Sequence, residues 1–292
     1  MAKITTRSLT PTIGAAIENV DLATRLDDEE IAAIRAALLK HKVVFFEDQH
    51  ITPVQHRDFA ARFGALHTHP LYPGVAEAPE MFILDNHAGN PTDNDAWHTD
   101  VTFIETPPLG AILYAKLLSP EGGDTCFANM QAAFEGLSKP LQRFLGELDA
   151  VHDFARGFPV RGGVAKLAGA DKHSKAQEEH PPVLHPVVRT HPETGADSLF
   201  VNYGFTERIK GLRRVESDAL LAMLFVHIQK PEYQVRWTWK PNSIAFWDNR
   251  ITQHYAVNDY LPHRRIMHRA TILGDRPFNR ARKPVAARQA AE

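Results

Sequence analysis

A mainly β protein with flanking helices, built as an antiparallel barrel or sandwich, is the fold class predicted by three observations. Short runs rich in β-branched and aromatic residues recur along the chain between turn-forming pieces. Few segments carry a helical period. No alternating strand and helix rhythm of a parallel sheet connects them. The 292 residues, 43% hydrophobic and 23% charged, are ample to bury a core.

The elements follow in chain order. LDDEEIAAIRAALLKHK (26–42) opens with acidic residues, which favour a helix N-terminus, and spaces Ile31, Ile34 and Leu38 at helical intervals. It is an amphipathic helix. VVFFED (43–48) reads as a buried strand. In TPVQHRDFAARFG (52–64), Thr52 is the N-cap, Pro53 takes the first helical position and Gly64 is the stop, predicting a second helix. Strands are predicted at MFILDN (81–86), WHTDVTF (97–103), GAILYAKLL (110–118), VVRT (187–190) and SLFVNY (198–203). YQVRWTWK (233–240), SIAFWDN (243–249) and IMHRATILG (266–274) continue the series, and SDALLAMLFVHIQ (217–229) adds a helix. There is no internal repeat. One domain is expected over 1–292. Within it, 156–182 mixes Gly, Pro and charge without a sustained period and reads as an active-site lid or a solvated insertion. The basic, apolar-poor 280–292 reads as a flexible tail.

Net charge is −2, with Lys+Arg 33 against Asp+Glu 35, so no basic excess points to nucleic acid or an anionic membrane. Small molecules are the expected partners. The single cysteine, Cys126, cannot form an internal disulfide, and the N-terminus lacks a signal-peptide pattern, so a cytoplasmic protein is expected. No apolar run approaches the roughly 20 residues of a membrane-spanning helix.

AWHTDVTF (96–103) carries the chemistry. On a strand, His98 and Asp100 project from one face, an arrangement that suits a metal. The best third ligand is His254 in FWDNRITQHYAVNDY, a polar position just past an apolar strand. Two histidines and a carboxylate on one face of an octahedron suit non-haem Fe(II) oxygenases. The same three could hold Zn²⁺ and an activated water, so hydrolysis competes. Arg265 and Arg269, four apart in HRRIMHRATILGD, share a strand face among apolar residues. A guanidinium in such a place needs an anionic partner, so two arginines imply an anionic cosubstrate and an anionic substrate. A simple hydrolase has no need for both.

WHTDVTFIETPP, GGDT, HPVVRTHP, WDNRITQHYA and RRIMHRATILGD resemble the motifs of the α-ketoglutarate-dependent taurine dioxygenases, in order and spacing, from about residue 8 to residue 279. The resemblance implies a double-stranded β-helix (jelly-roll) core with Fe(II) held by His98, Asp100 and His254. It implies Arg265, helped by Thr125, on the distal carboxylate of α-ketoglutarate, and Arg269 on the substrate sulfonate. His69, Tyr72 and Asn94 match residues that contact taurine, while Val101, Phe158 and Phe205 match residues that enclose it. Without the resemblance, His67 and His69 would read as surface or a second metal pair, and the two phenylalanines as core. GGDT lacks the Lys-Ser/Thr pair and helix of a phosphate loop and reads as a turn delivering Thr125. Ala96 stands where the family pattern has Asn, Cys126-Phe127 replaces a bulkier pair, and Tyr203 stands where Glu is expected. Trp247, beside the strand end before His254, reads as a core aromatic.

The implied reaction consumes O2 and α-ketoglutarate, yields succinate and CO2, and hydroxylates the carbon bearing the sulfonate of taurine, which then collapses to aminoacetaldehyde and sulfite. Rival readings are the same chemistry on an alkyl sulfate, another alkylsulfonate or an aryloxyacetate, and, in a different class, a non-catalytic metal-dependent ligand-binding jelly roll. A homo-oligomer, as a dimer, is expected from the resemblance.

Overall fold

The computed structural model describes residues 3–68, 74–90, 94–160 and 169–282. Its first strands are β1 (Thr5–Ser8), β2 (Ala15–Glu18), β3 (Val43–Phe46), β4 (Gly74–Val75), β5 (Ala78–Asn86), β6 (Gly110–Leu117) and β7 (Thr125–Asn129). There follow β8 (Asp149–His152), β9 (Val183–Pro186), β10 (Val188–Thr190), β11 (Asp197–Leu199) and β12 (Thr206–Ile209). The last are β13 (Gln234–Trp237), β14 (Ile244–Asp248), β15 (Thr252–Ala256) and β16 (Arg265–Ile272). Eight strands form one sheet in the order β1-β2-β3-β14-β6-β16-β5-β4, antiparallel except where β2 meets β3. A second sheet runs β13-β7-β15.

Strand parity explains how the two sheets enclose a core. On β3, Val44 and Phe46 pack with helix residues while Val43 and Phe45 pack with Phe127, Val235 and Trp237 of the second sheet. Phe45 stacks on Trp237 with ring centroids 4.1 Å apart. Both faces of the large sheet are therefore covered, which is why VVFF is continuously apolar rather than alternating. The same parity on β16 turns Met267 toward the second sheet and Ala270 and Ile272 toward the helices. Arg265 and Arg269 share Met267's parity and so face the space between the sheets. The architecture is mainly β with flanking helices around a jelly-roll core.

The helices are α1 (Asp28–His41), α2 (Pro53–Ala61), α3 (Met130–Glu135), α4 (Lys139–Gly146), α5 (Phe154–Gly157), α6 (Ala170–Glu179) and α7 (Arg214–His227). Capping boxes close α1, from Asp27 and Glu30, and α2, from Thr52 and Gln55 with Pro53 in the first turn. Ile34 and Leu38 of α1 and Phe59 of α2 bury against the outer face of the large sheet. The fully or partly apolar α7 lies where SDALLAMLFVHIQ predicts it. Among the described residues, no helix is long and apolar enough to cross a membrane.

Three sequence expectations need correction. WHTDVTF is not a strand: only His98 makes a ladder contact, an isolated antiparallel bridge to His254, and residues 100–103 turn away. Of 156–182, residues 161–168 lie outside the described set, but 170–179 form α6, whose buried His173 and Ala176 pack it down. Mean polarity hid that helix because only two of its positions are buried. Residues 280–282, read as the start of a tail, are tied in: Arg282 makes a paired contact to Asp149 at 2.7 and 3.0 Å, and the Arg280 amide donates to Thr190 Oγ1. Residues 283–292 lie outside the described set.

Candidate active site

The bridge between His98 and His254 builds the centre. The His98 amide donates to the His254 carbonyl at 3.1 Å and the His254 amide to the His98 carbonyl at 2.9 Å, so two segments distant in sequence meet residue against residue. His254 itself is carried by β15, paired to β7. Asp100 follows two residues after His98. Its Oδ1 lies 3.7 Å from His98 Nε2 and 3.7 Å from His254 Nε2, and all three candidate ligand atoms fall within 4.8 Å of one another. All three residues are buried.

The electrostatics suit a cation. His98 Nδ1 donates to the Ala96 carbonyl at 2.7 Å, which fixes the proton there and leaves the Nε2 lone pair facing the centre. The family pattern's departure at Ala96 is therefore harmless at this contact, since the backbone carbonyl does the work. Burial lowers the pKa of His98, and burial with the neighbouring His98 lowers that of His254, so both imidazoles are neutral donors. Burial alone would raise the Asp100 pKa, but Arg269, with His254 and His98, drives it well below the usual carboxylate range. Two neutral imidazoles and one carboxylate are the donor set for a divalent metal with open positions.

Asp100's second oxygen is engaged by Arg269, Nη2 to Oδ2 at 2.5 Å. The guanidinium lies 5.1 Å from the Trp247 ring and 5.5 Å from the Phe82 ring, and its Nε donates to Thr271 Oγ1 at 3.3 Å. A cavity beside it is lined by Phe82, Leu84, Asn94, Val101, Phe158 and Phe205, with the centre at its floor. Val101 is held at φ 52°, the left-handed region that a β-branched residue avoids, and this bend turns its side chain into the wall. Phe205 is set by its amide, which donates to Asn202 Oδ1 at 2.8 Å, and His173 Nε2 of α6 donates to the Phe158 carbonyl at 2.8 Å. His69 and Tyr72 lie outside the described residues.

Arg265 sits four residues before Arg269 on β16, about 13 Å along the strand. It is 4% exposed, and its Nε and Nη2 have no hydrogen-bond partner among the described residues. Burial pulls its pKa down to about 10. A buried, unsatisfied guanidinium fits the distal carboxylate of α-ketoglutarate. Thr125 is nearby through Trp239, whose Nε1 donates to Thr125 Oγ1 at 3.0 Å and whose ring lies 5.8 Å from the Arg265 guanidinium. Gly122 and Gly123, at φ 71° and 73°, make the turn before Thr125, and a Cβ on Gly123 would stand 3.3 Å from Arg265 Cδ.

With this geometry in view, the matches to known proteins are specific. A profile described as "Taurine catabolism dioxygenase TauD, TfdA family" matches residues 5–271. The chain belongs to the TauD/TfdA family. It is 38% identical over 267 residues to an α-ketoglutarate-dependent sulfate ester dioxygenase of Pseudomonas putida, covering 91% of this chain and 88% of that one. To an alkylsulfatase of Acinetobacter baylyi it is 37% identical over 276 residues, 92% of this chain and 84% of that protein. Its fold superposes on the crystal structure of a taurine dioxygenase from Burkholderia xenovorans with a TM-score of 0.81 and 37% identity, over 95% and 93% of the two chains. The family's cofactor and cosubstrate are Fe(II) and α-ketoglutarate, and the donor set and the unpaired Arg265 fit both.

Sequence reasoning missed Phe82, Leu84, Thr271 and Trp239. Phe82 stands opposite Arg269 in the β5–β16 register, and Thr271 has Arg269's strand parity, so a correct strand pairing would have found both. Tyr203, flagged as a departure, is 56% exposed under the Arg156 guanidinium, and the cavity's lining does not include it. Trp247 is the buried aromatic it reads as, 4.8 Å from the His254 ring.

Proposed function

We propose that this Fe(II)/α-ketoglutarate-dependent dioxygenase oxidises the carbon bearing a sulfate-ester or sulfonate group, whose sulfo end is held by Arg269, and that its substrate is an apolar alkyl sulfate ester or alkanesulfonate. The observation that carries the choice is the cavity lining. Phe82, Leu84, Val101, Phe158 and Phe205 supply apolar walls, and among the described lining residues the only carboxylate is Asp100, already engaged by Arg269. An alkyl chain finds a match there, whereas the ammonium of taurine finds no counter-charge. The sulfate-ester relatives support the same reading. Taurine is the second reading, favoured by Asn94 at the cavity, whose amide oxygen could accept from an ammonium, and by likeness to a taurine dioxygenase.

Bound Fe(II) supplies the oxygen-activating chemistry, coupled to decarboxylation of α-ketoglutarate. His98, Asp100 and His254 would hold the metal beside the cavity. Arg265, with Thr125, orients the cosubstrate through its far carboxylate. Arg269 fixes the sulfo group so that the adjoining carbon faces the centre. The apolar walls exclude water from the reacting carbon. One oxygen atom of O2 ends in succinate and the other in the C–H bond. The hydroxylated carbon then loses its hydroxyl proton and expels sulfate from an ester, or sulfite from a sulfonate, leaving an aldehyde.

The test is an anaerobically Fe(II)-loaded chain given α-ketoglutarate and O2 with hexyl sulfate, hexanesulfonate or taurine, with sulfate, sulfite and succinate measured. Sulfate release from the ester, matched by succinate, is expected. Taurine turning over faster than either hexyl compound would replace the apolar reading by the taurine one.

A further inference from the structure

The segment that carries two of the three candidate ligands has no strand of its own, so something else must hold it. Residues 98–100 are fastened to β15 and to the connection that leads into it from β14 by three successive contacts. His98 and His254 exchange both backbone hydrogen bonds, and Thr99 Oγ1 donates to the Thr252 carbonyl at 2.9 Å. Opposite the next position the chain has left β15 for its connection to β14, and no peptide hydrogen bond to Asp100 forms among the described residues. There the Asn249 side chain takes its place. Its Oδ1 accepts from the Asp100 amide at 2.9 Å, while its Nδ2 donates to the Asp100 carbonyl at 3.1 Å and to the Pro108 carbonyl at 3.2 Å.

With one donor and two acceptors facing the amide, only this orientation satisfies all three. Asn249 is fully buried. Its neighbours are themselves pinned: Arg250 Nη2 pairs with Asp248 Oδ2 at 2.6 Å, His191 Nε2 meets the same oxygen at 2.9 Å, and Arg250 Nη1 reaches Glu193 at 2.8 Å. Immediately after Asp100 the chain bends through Val101 at φ 52°. Without a clamp on the Asp100 backbone, only the Arg269 contact to its Oδ2 would oppose that bend, and that contact pulls the carboxylate toward Arg269 rather than setting it against the two imidazoles.

We propose that Asn249 is the positioning residue of the metal centre, its amide standing in for the strand partner that Asp100 lacks and so fixing the carboxylate against His98 and His254. The inference rests on the reading that those three residues hold the metal. Asn249 touches neither metal nor substrate. It acts through the Asp100 backbone, which makes metal affinity, rather than turnover alone, the quantity it controls.

Mn(II) and Fe(II) are titrated anaerobically into the metal-free parent chain, Asn249→Ala, the milder Asn249→Ser and Asp100→Ala, and the melting temperature of each metal-free chain is recorded. Both Asn249 variants should bind metal about tenfold to a hundredfold more weakly than the parent, the usual loss when a group supporting a metal ligand is removed. A role confined to packing would lower the melting temperature and leave the metal Kd unchanged, and that result overturns the proposal. Failure of both Asn249 variants to fold overturns it too, because the residue would then belong to the core. Metal binding by Asp100→Ala as tight as the parent's would instead defeat the reading of the centre, a separate outcome.

Discussion

Arg269→Ala separates the two buried arginines, which look interchangeable in sequence. In the structure Arg269 touches Asp100 Oδ2 and faces the cavity, while Arg265 sits about four strand residues away with unsatisfied nitrogens. Removing one partner of a buried charge pair costs about 3–5 kcal/mol. At about 1.4 kcal/mol per decade, the sulfo substrate should bind about two to three and a half decades more weakly. Arg269→Lys should recover only part of this, because a point charge lacks the planar fork. Metal affinity should move the other way or stay level, since loss of the guanidinium frees Asp100 and removes a cation beside the dication's site. The assay pairs succinate and sulfate yields against hexyl sulfate concentration with a Mn(II) titration of the same variant. Succinate without matching sulfate is expected, the signature of cosubstrate spent with no substrate in place. If the α-ketoglutarate requirement rose while the sulfo substrate bound as before, the roles of Arg265 and Arg269 would have to be exchanged.

His98→Ala, Asp100→Ala and His254→Ala should each abolish turnover and metal binding, and full activity in any one would remove that residue from the ligand set. Arg265→Met should raise the α-ketoglutarate requirement far more than the substrate requirement. The same variant should stabilise the ligand-free chain by an amount on the order of 3 kcal/mol, because burial has drawn the Arg265 pKa down to about 10, which Asp124 and Tyr260 only partly offset, and its Nε and Nη2 have no hydrogen-bond partner among the described residues; an unchanged or lower melting temperature would count against that unsatisfied state. Acid should weaken the fold: burial holds His56 at about 3 and His185 at about 4, against an ordinary 6.5. Both stay neutral when folded and take up protons when unfolded, so their stabilisation is complete above 6.5 and falls as pH drops toward 4. The slope approaches about 1.4 kcal/mol per pH unit for each group. Urea midpoints of the metal-free chain at about pH 7 and about pH 5 check the sign, and a flat profile would contradict it.

What the amino-acid sequence determined by itself is set by local rules. Thr52, Pro53 and the acidic start of α1 encode their helix ends, because a cap's partners lie within three residues. VVFF, GAILYAKLL and IMHRATILG announce strands through composition, and parity on the last correctly placed Arg265 and Arg269 on one face. The candidate ligand residues could be singled out too, as polar groups in places where polar groups need a reason, and the structure brings all three together. The conformation of WHTDVTF was not, for its β-rich composition satisfies a strand whether or not a neighbour exists to pair with it. That depended on β15 and the connection before it, which offer His98 a peptide partner and Asp100 the side chain of Asn249, 149 residues on. Tertiary structure alone decided that Arg269 engages the Asp100 carboxylate, that Arg265 lies buried with Nε and Nη2 lacking a hydrogen-bond partner among the described residues, and that Phe82 comes to face Arg269 across the sheet. Those are statements about distance between segments remote in sequence, and pairwise distance is fixed only when the sheets close on one another.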